Sequence, residues 1–549
     1  MGARFAGLNG PRFAFLMILA RWACIPLSLV GGWICGRWAT RLYGLPSGIL
    51  AMTLWFFSPM VIGHASLITP DAHAAALAVC AMYWIWNWLN SAKWENAVVA
   101  GLLLGLAELT KFTLLMLYPV VLSLWAMYWL RRPARMRGEP DKTYPPNERP
   151  AFYQLIVLLV LSVLVINLGY GFEDTLKSLR NYRFQSRLFT GLEANQIVSI
   201  RDGQGYRFAG TVFDSLPIPL PANYVQGIDT QRCDFERGLS SYLRGEWADH
   251  GWWYYYLYAL AIKEPVGTWC LLALAIGVTI CQRGYSASWR DEMVVLGPGL
   301  AILICVSSQT GFSVHSRYVI PALPFLFVWM SKVARVFEMR PFTRKRLVLA
   351  TTVVLALAWS VGSSLAVYPH SLSYFNELAA VLPTPADASY PKPCKDARKR
   401  GLLATLASWP SAGPRNGPRH LLDSNIDWGQ ELFYLKDWLD SHTDVKLDGL
   451  ALNASYPATL AGIPETPHPP AGRAEKEPSE AVANEHLGPK PGWHALSVKY
   501  IYGRDRQYRY FLHFEPVAMA GYSIYIYQIT MEEANQVRRE LGLPELKGE

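Results

Sequence analysis

Long apolar stretches recur along the chain, separated by short polar loops. They lie at 13–34, 46–63, 71–90, 97–110, 112–130, 152–171, 254–281, 293–309, 318–334 and 347–368. A helix needs about 20 apolar residues to cross a bilayer. The pattern therefore predicts a polytopic α-helical membrane protein with about ten membrane helices. Only Lys111 separates the fourth run from the fifth. The periodicity changes after 369, where a small α/β domain is expected. It should hold a helix at 427–441, strands at 493–502 and 521–530, and a closing helix at 531–541. The predicted organisation is a transmembrane domain over 1–369 and a second domain over 370–549. The first carries a long insertion at 172–253, and the second a flexible Pro-rich loop at 457–491.

The placement of basic residues orients these spans. Arg131, Arg132, Arg135, Arg137, Lys142 and Arg149 crowd one loop, and Lys332, Arg335, Arg340, Arg344, Lys345 and Arg346 another. Ten crossings put both on the cytoplasmic side, together with the smaller basic loops at Arg37 and Arg41, Lys93, and Arg283 and Arg290. The insertion, the 310–317 loop and everything after 369 then face outward. The expected location is the cell (inner) membrane, multi-pass, with an extracytoplasmic C-terminal domain. On this topology the tail with Arg4 and Arg12 starts outside, and a further membrane helix is expected ahead of it.

Composition agrees with that class. Charged residues are 17% of the chain, below the ~25% of soluble domains, which excludes a disordered chain. The formal charge of +9 lies in loops between apolar runs, which argues for membrane topology and against a nucleic-acid partner. Cys24, Cys35, Cys80, Cys270, Cys281 and Cys305 read as small apolar residues, while Cys233 and Cys394 lie outside the runs and are able to pair. No Cys/His spacing suits a metal. No cofactor is expected, and any divalent-metal requirement stays open.

Ionisable side chains at membrane depth are costly and mark functional sites by default. Most of them fall near the outward face: His64, Asp71, Lys111, Lys263 beside Glu264, His315 and Arg317 next to Tyr318. Each has a structural alternative. Thr69-Pro70-Asp71 also reads as a helix start, Lys111 as a snorkelling cation, and Lys263 with Glu264 as a self-neutralising pair. In the second domain, Asp427 and Gln430 have capping-box spacing. Asp427 and Trp428 are candidates for contact with an acceptor. Asn453-Ala454-Ser455 matches a short glycosylation sequon.

Six segments carry a resemblance: SPMVIGHASLITPDAHAAA, GLAELTKFT, GWWYYYLYALAIKEPVG, HSRYVIPALPFL, YPHSLSYFNELAA and LLDSNIDWGQELFYLKDWL. In this order the chain resembles the integral-membrane glycosyltransferases of the GT-C class, closest to family 39. That family includes protein mannosyltransferases and aminoarabinose transferases. The resemblance implies a lipid-linked sugar donor on a polyprenyl phosphate, a protein, lipid or glycan acceptor, and transfer at the outer face, usually with inversion. Asp71 matches a family carboxylate, and Lys263 and Arg317 match basic positions assigned to the donor phosphate. The family's principal Asp-Glu loop follows its first membrane helix, and this sequence begins at what corresponds to the second. A transporter or flippase of a lipid-linked anion would use the same basic cleft, but no pair of matching broken helices marks two halves. A non-catalytic protein that binds lipid-linked sugar is the third reading.

Overall fold

A computed structural model describes residues 2–10, 12–130, 150–191, 207–341, 343–385, 412–454, 456–472 and 486–547. The basic loop at 131–149, Cys394, Ser455 of the sequon and residues 473–485 of the predicted loop lie outside them. The helices are α1 (Gly2–Asn9), α2 (Arg12–Tyr43), α3 (Leu45–Phe57), α4 (Pro59–Ala65), α5 (Pro70–Ser91), α6 (Trp94–Glu108), α7 (Leu117–Trp129) and α8 (Phe152–Gly169). They continue with α9 (Ala222–Arg237), α10 (Tyr255–Lys263), α11 (Val266–Cys281), α12 (Trp289–Ser308), α13 (Leu323–Met330), α14 (Arg344–Val367), α15 (Leu432–Ser441) and α16 (Met531–Glu540).

Every predicted apolar run holds a helix, but not every one is a straight span. Among the described residues, six helical segments are long and apolar enough to cross a membrane, and the count rises to eight if each of two bent pairs is one span. Of the ten expected runs, those holding α5 and the 15-residue α6 fall outside this set. The bends have local causes. Ser58 leaves the helical conformation and its hydroxyl accepts the Val61 N–H, so α4 restarts on Pro59 at 57° to α3. Pro265 lacks an N–H and cannot continue α10, so α11 departs at 112°. That turn places Lys263 and Glu264 at a buried corner whose carbonyls accept from Asn376.

The C-terminal part of the chain holds the sheet β3 (Leu447–Ala451), β4 (Gly492–Ser497), β6 (Ile524–Ile529) and β5 (Ala518–Ala520) in that order, with β3 and β4 parallel and the other pairs antiparallel. Side chains on a strand alternate between faces. Ile524 and Ile526 therefore join Leu432 and Leu435 of α15 in one core. Tyr525, Tyr527 and Ile529 join the core that continues into the helix bundle. The predicted strand 493–502 ends at Ser497, where a short helix, Val498–Ile501, takes over. The predicted helix 427–441 starts only at Leu432, because Gly429 has φ +73 and residues 426–431 form turns. The insertion adds the hairpin β1 (Ser241–Leu243) and β2 (Glu246–Ala248). It reaches the C-terminal part of the chain through Arg244 N–H to His420 O at 2.9 Å and Trp247 Nε1 to Tyr502 O at 3.0 Å.

Candidate functional site

Three helices deliver the charged centre. Asp71 sits in the first turn of α5, Lys111 at the break after α6, and Arg317 in the 3-10 segment Ser316–Ala322. Lys111 Nζ donates to Asp71 Oδ1, and Arg317 Nε lies 3.7 Å from Asp71 Oδ2. Both contacts are buried: Asp71 is 2% exposed at its side chain, Lys111 9% and Arg317 17%. Thr69 is the N-cap residue of α5, Pro70 opens the helix and Asp71 lies in its first turn, so the helix-start reading holds, although the Thr69 hydroxyl makes no cap hydrogen bond. The Asp71 carboxylate is also held by two cations from elsewhere in the chain.

Aromatic rings enclose those cations. Arg317 lies over Trp428 at 4.2 Å and Lys111 over Tyr318 at 4.4 Å, distances at which a cation is attracted to a ring face. Trp428 lies in the C-terminal part of the chain, which thus contributes a ring to the helix-borne centre. The hydrogen bonding stays incomplete. Asp71 Oδ2, Arg317 Nε and His64 Nδ1 are buried and have no hydrogen-bond partner. His64 ends α4 and lies within electrostatic reach of Asp71, Arg317, Lys263 and Lys111. Buried polar groups are nearly always satisfied, and a cluster of exceptions asks for an explanation.

Other predicted residues have structural partners. Lys263 makes no ion pair with Glu264; its Nζ donates to Leu372 O and Asn425 O, each at 2.7 Å, and lies 4.3 Å from the Phe375 ring. Glu264 accepts from Ser58 Oγ at 2.5 Å. The self-neutralising pair is thus replaced by two separate sets of bonds. His315 shares a 2.6 Å hydrogen bond with Ser424, and its ring faces Tyr318 at 5.5 Å. Burial, with Arg317 nearby, pushes the His315 imidazole below its ordinary range. Asp427 caps no helix: its Oδ1 accepts the Gly429 N–H at 3.1 Å, and Gln430 turns back to Trp428 N–H at 2.7 Å. Burial pushes the Asp427 carboxyl up to about 7. The side chain faces its own segment while the neighbouring Trp428 faces Arg317. Asn453 of the sequon donates to Asp427 O at 3.1 Å. Cys233 is a free thiol. Among the described residues no His, Cys, Asp or Glu cluster could hold a metal ion.

Two groups have importance that the residue pattern did not signal. Asn425 accepts the Ser316 N–H at 2.8 Å and donates to Val314 O at 2.8 Å and Leu422 O at 2.6 Å, so it sets the position of the Arg317 segment. The preceding Asp423, at φ +61, tolerates the left-handed region better than most residues. Although burial opposes it, Lys499 holds the Asp423 carboxyl below the usual range. Glu431 pairs with His370 at 2.8 Å beside a cavity of about 390 Å³. Arg21, Trp55, Phe56, Gln430, Glu431 and Tyr434 line this cavity, together with residues on either side of His64 in the chain. Asn and Glu at these positions carry no distinguishing spacing; only the fold brings them into place.

No protein-family model matches the chain, and no curated protein matches its sequence. Among solved structures it is similar to the crystal structure of ArnT from Cupriavidus metallidurans bound to undecaprenyl phosphate. The TM-score is 0.39 and the identity 14%, over 92% of this chain and 83% of that one. It is also similar to the apo state of the same protein, with TM-score 0.32 and 16% identity over 92% and 82%. Likeness at this level carries no argument about activity.

Proposed function

We propose that the chain is a membrane glycosyltransferase that moves a sugar from a polyprenyl-phosphate donor to an acceptor hydroxyl at the extracytoplasmic face. The observation that carries the reading is the convergence of one carboxylate and two cations from three helices, with facing polar atoms left unsatisfied. Asp71 Oδ2 and Arg317 Nε stand 3.7 Å apart without a hydrogen bond, a centre that a ligand oxygen would complete.

The chemistry follows from the charges. The acceptor oxygen attacks the anomeric carbon, the bond from that carbon to the phosphate oxygen breaks, and the lipid phosphate leaves with added negative charge. Arg317, whose guanidinium forks onto phosphate oxygens, and Lys111 stabilise that charge as it develops. While they hold Asp71, its carboxylate is a weak base. A donor phosphate competes for both cations and so frees Asp71 to take the acceptor proton. Trp428 and Tyr318 keep the cations oriented and offer ring faces to the sugar. The cavity lined by Glu431 is the proposed path for the acceptor. Lys263, bound to two carbonyls, is given the lesser role of holding the helix corner against the second domain. An outward-facing site rests on the distribution of basic loops along the chain.

The test is transfer by the purified full-length protein, supplied with a panel of radiolabelled polyprenyl-phosphate sugars and membrane extract as acceptor. Labelled product that disappears in Asp71→Asn supports the reading. Movement of donor across proteoliposomes without any product would instead make the protein a transporter.

A further inference from the structure

A second basic pocket lies far from Asp71. Helix α14 is 24 residues long; it begins at Arg344 and ends at Val367, next in the chain to the Tyr368 that lines the first cavity. At 1.5 Å per residue its two ends are about 35 Å apart. Beside its first turn, α11 and α14 enclose a cavity of about 310 Å³ lined by Gln282, Tyr285, Lys345 and Arg346 and, deeper in, by Leu274 and Val278. Among the described residues, no acidic one lines it.

Three observations point to an anion. The first turn of α14 carries Arg344, Lys345 and Arg346 and no acidic residue. A helix N-terminus already bears partial positive charge, so cations there repel it unless a negative group is present. Tyr285 is fully buried, and its hydroxyl has no hydrogen-bond partner. The helices that line the pocket also carry exposed apolar side chains next to the lining residues in the chain: Ile280 on α11 is 78% exposed and Val348 on α14 60%. A side chain added at Gly277, in the pocket wall, would meet nothing within 4 Å. A free anion needs no such apolar apron, whereas acyl chains do.

We propose that this pocket binds the phosphate headgroup of an anionic phospholipid, with Lys345, Arg346 and the Tyr285 hydroxyl on the phosphate and the acyl chains laid over Gly277 and Val348. Basic pockets between membrane helices are suited to such headgroups, and each cation contributes appreciably near a bilayer surface. The site is independent of the glycosyltransferase reading.

The test uses native mass spectrometry of the full-length protein in neutral detergent, titrated with phosphatidylglycerol, phosphatidylcholine or inorganic phosphate. Phosphatidylglycerol should be retained at least about tenfold more tightly than phosphatidylcholine, and the double variant Lys345→Gln/Arg346→Gln should weaken its retention by about tenfold or more. Gly277→Leu keeps both charges but fills the wall, and should also reduce retention. Melting curves in lipid-free detergent confirm that each variant is folded. Equal retention of the two lipids, or wild-type retention by either variant, would overturn the assignment. Protection against melting by inorganic phosphate as strong as that by phosphatidylglycerol would replace it with a free-anion site.

Discussion

Asp71, Lys111 and Arg317 are valuable to one another because they are buried together. Removing one member leaves the rest uncompensated, which commonly costs about 3–5 kcal/mol. Asp71→Asn should therefore lower both transfer and melting temperature. Arg317→Lys keeps the charge and loses the fork over Trp428. We expect it to stay folded and to lose about 10- to 100-fold in donor kcat/KM, in line with a charged hydrogen bond of about 1.5–3 kcal/mol. Wild-type kcat/KM in Arg317→Lys would remove Arg317 from the phosphate site. Asp427 gives a separate pH signal. Its folded carboxyl titrates near 7 because it is buried, well above the ~3.9 of an exposed aspartate. The folded state thus binds a proton that the unfolded state has released between about pH 4 and 7. This contribution is present below that window and lost as pH rises through it. Melting temperature should fall from pH 5 to pH 8, and Asp427→Asn should flatten the fall; an unchanged profile would refute the burial argument. The residue pattern expected Asp71, Lys111, Lys263 and Arg317 near one face of the membrane and Asp427 in the outward C-terminal region. It did not show that Lys263 and Asp427 turn toward backbone partners, because depth along a helix is a property of spacing and rotation about its axis is a property of packing.

Glycine spacing decides how closely the helices approach. Gly101 and Gly105 are four residues apart on α6 and face α8. An added Cβ at Gly101 would come within 2.6 Å of Leu158 O, and one at Gly105 within 2.6 Å of Ser162 O. Neither carbonyl can move without displacing the helix, so the small residues permit the contact. Gly105→Ala should destabilise the protein by about 1–3 kcal/mol through overpacking. Gly277→Ala, in open space, should instead stabilise it by up to about 1 kcal/mol through helix propensity. Thermal melting of the two variants checks both signs, and shifts in the same direction would contradict this account. Element ends were less legible than element centres. Thr530 and Glu533 form a reciprocal capping box at the start of α16, whereas Asp427 and Gln430, with the same spacing, do not. The difference is that Gly429 breaks the helical conformation between them.

The molecule joins its two parts through the functional centre. Lys263 reaches Asn425 O, Asn425 holds Ser316 N–H, and Trp428 covers Arg317. On the proposed topology, Ile68 (51% exposed) and Trp289 (62% exposed) lie on opposite sides of the membrane. In a background with the native cysteines replaced, a cysteine at Ile68 should react with an impermeant maleimide in intact cells. One at Trp289 should react only after permeabilisation. Labelling of both in intact cells would end the outward-facing assignment. Apolar run length determined a great deal by itself: where the membrane-type helices lie and that the class is helical. These are one-dimensional properties, set by the cost of placing polar atoms in hydrocarbon. Only the tertiary structure decided that two spans are bent, that Asn425 positions the Arg317 segment, and which buried cations meet Asp71. The bends follow from local residues, but the last two outcomes depend on contacts between residues from 40 to more than 200 positions apart, and the energy of such a contact exists only once the chain has folded around it.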